Sequence, residues 1–199
     1  MSDDTARVIE AQHGSEEAFT ELVEAYQSHV YNLCYRMLGE PEAAEDAAQE
    51  TFLRAFQHLH RYDQRRPFAT WLLSIAAHYC IDRLRRRKFS FTSLDQEEDH
   101  EAQELPDAEA AKPEDEAVRR EQRQQMQAAI SRLETIDRAA IVLRYWHDCS
   151  EAEIAETLHL TVSAVKSRLH RARRELAGYW PTEERLPSQG RRPHESPAF

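Results

Sequence analysis

The chain has 199 residues, a formal net charge of −10, 41% hydrophobic and 31% charged residues: enough for one medium domain or two small ones. No apolar run approaches the ~18–20 residues that cross a bilayer, and the acidic opening Met1-Ser2-Asp3-Asp4 is not a signal segment, so a cytoplasmic protein is expected. Only 4 glycines and few Val/Ile/Thr runs exclude a sheet-rich fold and predict an all-α one.

A short helix is predicted over Thr5–His13. Ser15 is placed to cap the next, in which Phe19, Leu22, Val23, Tyr26, Val30, Leu33 and Met37 recur at helical spacing. Gly39 and Pro41 stop that helix and open another. Ala44, Ala48, Phe52, Ala55, Phe56 and Leu59 line one face of it. A helix from Pro67 to about Lys88 turns Phe68, Trp71, Leu72, Ile75, Tyr79 and Leu84 inward. Residues 1–88 hold 11 Lys/Arg against 14 Asp/Glu, whereas residues 89–117 hold 1 against 11. That acidic stretch has no sustained apolar periodicity and contains Pro106 and Pro113. It reads as a flexible linker over 91–116, reaching roughly 30 Å as a coil.

Residues 118–180 are basic, with 11 Lys/Arg against 8 Asp/Glu. Helices are predicted near Glu114–Leu133 and Ile136–Trp146. Ser150 and Glu153 form a capping box for a helix ending near Leu158. After the turn His159-Leu160-Thr161 a last helix runs from Val162 to about Ala177, so the pair has the proportions of a helix-turn-helix. The expected organisation is a helical domain over 1–90, the linker, a helix-turn-helix domain over 117–180, and a disordered tail over 181–199.

Val165, Leu169, Ala172 and Leu176 form the inward stripe of the last helix. Its other faces present Lys166, Ser167, Arg168, His170, Arg171, Arg173 and Arg174. Such a helix suits a DNA major groove, where Arg and Lys read guanine edges; a solvated basic helix is the plainer reading. Arg61, Tyr62, Arg65 and Arg66 lead into Phe68 and Trp71, and the same helix ends in Arg83-Leu84-Arg85-Arg86-Arg87-Lys88. Cations interleaved with aromatics fit a single strand, although Phe68, Trp71 and Tyr79 also read as core. Glu42, Glu45, Asp46, Gln49 and Glu50 crowd the start of the second long helix, as dipole complements or as a docking surface. There is no HExxH, no phosphate-cradling Gly loop and no GxSxG, so no enzyme, cofactor or small-molecule substrate is expected. Cys34, Cys80 and Cys149 are scattered, with no CxxC pair, and His58-Leu59-His60 alone is a weak metal signal.

Three blocks in this order resemble the bacterial RNA polymerase sigma factors of the sigma-70 family, in their two-domain extracytoplasmic-function group. Glu45-Asp46-Ala47-Ala48-Gln49-Glu50-Thr51-Phe52-Leu53-Arg54-Ala55-Phe56 is similar to the family's polymerase-binding helix. Phe68-Ala69-Thr70-Trp71-Leu72 through Asp82-Arg83-Leu84-Arg85-Arg86 is similar to its promoter-melting, minus-ten segment. Glu153–Leu158 with Val165–Arg173 is similar to its minus-thirty-five reader. The resemblance implies a transcription initiation factor that binds core RNA polymerase, at the clamp helices of the beta-prime subunit and at the beta flap, and promoter DNA. It also implies an anti-sigma factor. Asp46, Gln49, Glu50 and Phe52 then bind polymerase, and Arg61, Tyr62, Arg65, Arg66, His78, Arg83 and Arg86 serve the minus-ten element. Lys166, Ser167, His170, Arg171 and Arg174 serve the minus-thirty-five element.

The chain departs from the family pattern at His78, where many members carry Asn, and at Ser163-Ala164, where Gly-Thr is common. Glu134-Thr135 replaces a Pro-containing turn and Cys149 a frequent Leu. The rival reading is a dimeric helix-turn-helix regulator that binds paired half-sites without polymerase. The modest charge of the second module predicts weak promoter binding by the free protein, relieved when polymerase tethers both modules to DNA.

Overall fold

The computed structural model describes residues 3–91 and 113–179. Most of the predicted linker and all of the tail 181–199 lie outside them. Eight α-helices follow in chain order: α1 (Asp3–Gln12), α2 (Glu16–Leu38), α3 (Pro41–His58), α4 (Phe68–Phe91), α5 (Pro113–Arg132), α6 (Thr135–Trp146), α7 (Glu151–Thr157) and α8 (Val162–Ala177). A single 3-10 turn, Leu59–Arg61, follows α3, and no strand occurs among the described residues.

The local signals act where the sequence puts them. Ser15 Oγ accepts from Ala18 N at 3.2 Å and starts α2, beside Glu16 and Glu17 in the positive first turn. Gly39 ends it at φ 83°, a left-handed conformation that glycine adopts without strain, and its N–H donates to Tyr35 O at 2.8 Å. Pro41 then occupies the first turn of α3, where its missing N–H costs nothing.

The first module packs α2 against α1, α3 and α4, with Leu22, Val30, Leu33, Met37 and Leu72 fully enclosed. α3 approaches closely because its buried stripe is small: Ala43, Ala44, Ala47, Thr51 and Ala55. The apolar face read from the sequence is therefore only partly buried. Phe56 does not enter the core; it is 52% exposed, its inner edge against Phe19 at 5.0 Å, and Leu53 beside it is equally exposed. The small residues leave no depth for large ones, so these are displaced outward.

In the second module α6 and α7 pack on α8 around Ile141, Leu143, Ile154 and Val165. The four residues read as the inward stripe of α8 are all buried. The two modules are also docked on each other, α5 and α6 against α2, and α6 and α7 against α4. That docking solves a problem created by the end of α2, whose last carbonyls have no partner within the helix. Gln127 Nε2 donates to Tyr35 O and Arg36 O at 3.3 and 3.2 Å, and Arg138 Nη1 donates to Met37 O at 2.6 Å. Arg138 Nη2 also donates to Ser131 O and Leu133 O at the end of α5. One buried guanidinium thus closes two helix C-termini, where the dipoles favour a cation.

Candidate nucleic-acid interface

The last two helices are set up by caps. Ser150 Oγ accepts from Glu153 N at 3.2 Å while Ser150 N donates to Glu153 Oε2 at 2.8 Å, the reciprocal capping box expected for α7. The Ser150 bonds hold the Glu153 carboxyl below its ordinary range. Thr161 Oγ1 accepts from Ala164 N at 3.2 Å and starts α8. Between them His159 turns the chain at φ 53°.

With its apolar stripe buried, α8 presents Lys166, Ser167, His170, Arg171 and Arg174 to solvent. Lys166 lies 3.6 Å from Glu151, and Ser167 Oγ donates to Ser163 O at 3.1 Å. Arg171 is held side-on by Asp137: Nε reaches Oδ2 at 2.6 Å and Nη2 reaches Oδ1 at 2.8 Å. Arg168 Nη1 reaches Asp137 Oδ1 at 2.7 Å and Glu134 Oε2 at 3.1 Å. Glu134 also accepts from the N–H groups of Ile136 and Asp137, so it caps α6 where the family pattern has a Pro-containing turn. Neither supporting carboxylate was among the expected site residues. The available signal was a charged pair, Asp137-Arg138, set in the otherwise apolar run Ile136–Leu143.

On the first module the cations are gathered but mostly paired. Arg65 and Asp63 form a two-pronged pair, and the hydrogen bonds from Arg65 bring the Asp63 pKa down to about 2. Arg61 Nε donates to His60 Nε2 at 3.2 Å. Tyr62, expected as a strand contact, is packed into its own loop. It is 8% exposed, packs on Phe68 and Trp71, and donates its hydroxyl to Arg66 O, so it shapes the loop from within. Trp71 is half-buried against Tyr62 and Phe68.

Several expected contacts meet the second module instead of solvent. Arg66 pairs with Glu156 at 2.9 Å, and the Thr70 hydroxyl bonds the Glu153 carboxylate. His78 donates Nδ1–H to Ser74 O at 2.8 Å and sets its ring 4.8 Å from that of His159. Arg83 lies 3.7 Å from Asp46, while Arg86 is exposed. On α3, Asp46 and Gln49 are exposed and Glu50 is half-buried in an ion pair with Arg54 at 2.7 Å. Phe52 is partly buried, and the exposed Leu53 and Phe56 extend that face with apolar area.

Two family descriptions match the chain in the order of its modules: Sigma-70 region 2 over residues 22–90, and Sigma-70, region 4 over residues 123–176. The ECF RNA polymerase sigma factor SigW of Bacillus subtilis is 38% identical over 174 residues, 85% of this chain and 92% of its own. SigX of the same organism is 31% identical, across 78% of this chain and 80% of its own. Among solved structures, CnrH in complex with the cytosolic domain of CnrY overlays with a TM-score of 0.63 at 28% identity, covering 88% of this chain and 95% of CnrH. RpoE in complex with the anti-sigma factor NepR from Bartonella quintana shares the fold, with a TM-score of 0.68 at 18% identity. Two ordered family matches, close relatives over nearly their full length and the same helical fold converge on one conclusion: the chain belongs to the ECF RNA polymerase sigma factors of the sigma-70 family.

Proposed function

We propose that this sigma factor works as a transcription initiation factor, binding core RNA polymerase, directing it to specific promoters and helping to melt the minus-ten element. In this reading α3 docks on the polymerase clamp helices, α4 and the loop before it take the non-template strand, and α8 reads the minus-thirty-five element in duplex DNA. The protein performs no chemical step of its own and acts in the cytoplasm, where polymerase and promoters meet. Residues 1–90 and 117–180 serve as the two working domains and 91–116 as their tether. An anti-sigma factor is the remaining partner in this reading, and the related CnrH is solved in complex with the cytosolic domain of a second protein, CnrY.

The observation that carries the reading is the face of α3. A helix whose core stripe is alanine, with Leu53 and Phe56 half in solvent beside Asp46 and Gln49, presents apolar area rimmed by acid, the make-up of a docking surface. It fits a partner with a basic, partly apolar helical surface. Promoter contact requires the modules to part, because Arg66, Thr70 and His78 face α7 and the turn after it. Exchanging Leu53→Asp together with Phe56→Ser is expected to weaken binding to core polymerase at least about tenfold while leaving the melting temperature within a few degrees. Unchanged polymerase affinity in that variant would remove α3 as the docking helix.

A further inference from the structure

Asp137 is 1% exposed, lies in the first turn of α6, and receives two arginines from the solvent-facing side of α8. A buried carboxylate left without partners would be costly, so it needs both cations, but they are not equivalent. Arg168 is 28% exposed and divides Nη1 between Asp137 and Glu134, a tie that joins α8 to α6. Arg171 is 59% exposed and gives Asp137 only its Nε–Nη2 edge. The opposite, end-on edge of the guanidinium, with Nη1 and the second hydrogen of Nη2, remains available. Guanine presents two acceptors, N7 and O6, in the major groove, and a guanidinium edge matches them with two parallel hydrogen bonds.

We infer that Asp137 is a positioning residue for base selection: it locks the Arg171 fork so that its free edge addresses one guanine of the upstream element. An unsupported arginine samples many rotamers, and fixing them costs side-chain entropy at the moment of binding. Asp137 removes that cost in advance and fixes the plane of the fork. Arg171 therefore discriminates at one base pair, while Lys166 and Arg174 add attraction that is less dependent on sequence. The inference rests on the proposed reading of α8 as the duplex-DNA helix.

The test is transcription by polymerase carrying the full-length protein, from a promoter library randomised across the upstream element, followed by sequencing of the transcripts. The wild-type protein is expected to select G at one position. Arg171→Lys, which keeps the charge on an exposed side chain but loses the fork, is expected to reduce that preference roughly tenfold. Asp137→Asn is expected to relax the same base pair and no other, and to add nothing further when combined with Arg171→Ala. The salt dependence of promoter binding stays the same in Asp137→Asn, since no phosphate contact is lost. If Asp137→Asn lowers use of every upstream sequence alike, or shifts nothing while Arg171→Lys relaxes a guanine, Asp137 is only a structural tie. If Arg171→Lys leaves the selected sequence intact, the inference also fails. Absence of any upstream selection by the wild type overturns the underlying reading of α8, and this inference with it.

Discussion

His147, at the end of α6, has neither ring nitrogen hydrogen-bonded, and burial is the main reason its pKa is pulled down to about 4 from 6.5. His29 of α2, whose ring lies 6.3 Å away, works in the same direction, while Asp148 opposes it. Between those two values the unfolded chain binds a proton that the folded chain refuses. Stability therefore falls as pH drops from 6.5 toward about 4, by at most about 3 kcal/mol from this residue. Urea titrations from neutral pH to about pH 5 measure that slope. In His147→Phe the part due to this residue is expected to vanish, and an equally steep loss in that variant would contradict the assignment. The sequence names His147 but not its enclosure, because the wall facing it comes from a helix more than a hundred positions earlier. Tyr62 teaches the same lesson. An aromatic set among arginines reads as a strand contact, and the sequence does not show that packing on Phe68 and Trp71 also makes it part of the loop's frame.

At the scale of elements the sequence is most legible where the signals are local. Ser15, Gly39, Pro41, the Ser150–Glu153 box and Thr161 each mark a helix end with chemistry that acts over three or four residues. The stripe of α8 is likewise legible, since one period repeats over its whole length. The face of α3 is less so. Alternation of small and large apolar residues fits two stripes, and only the close approach to α2 decides that the alanines go inside. The capping box gives a direct prediction. Ser150→Ala leaves Glu153 N without its acceptor at the start of a helix only 7 residues long, at an expected cost of about 1 kcal/mol. Because α7 supports α8, that variant is also expected to weaken promoter use in proportion, with the promoter sequence selected unchanged. A change in selected sequence would place Ser150 closer to DNA than its cap role allows.

For the whole molecule, the unforeseen feature is the seam. The sequence separates two helical modules by an acidic stretch, and composition cannot report that Arg138 and Gln127 of the second complete the end of α2 in the first. Arg138 is buried, and burial pulls its pKa below the ordinary arginine value although it stays charged. Arg138→Met leaves three carbonyls without this donor at once, which predicts a loss of about 3–5 kcal/mol and uncoupling of the modules. Calorimetry is expected to show one cooperative transition for the wild type and two for the variant; a single transition in both would mean the seam does not couple them. The docked state also accords with the expectation that the free protein binds promoters weakly. In the proposed reading, Arg66, Thr70 and His78 stay engaged by Glu156, Glu153 and His159 until polymerase holds the modules apart.

Run-off transcription with core polymerase over a library of promoter fragments, with the protein present and absent, tests the central claim most directly, especially with an Asp46→Lys variant alongside. Transcripts that start at a shared pair of sequence elements only when the protein is present, and that fall with Asp46→Lys through weakened polymerase binding, are the predicted result. A protein that yields no transcripts with polymerase, yet binds duplex DNA alone as a dimer at paired half-sites about one helical turn apart, would contradict the account.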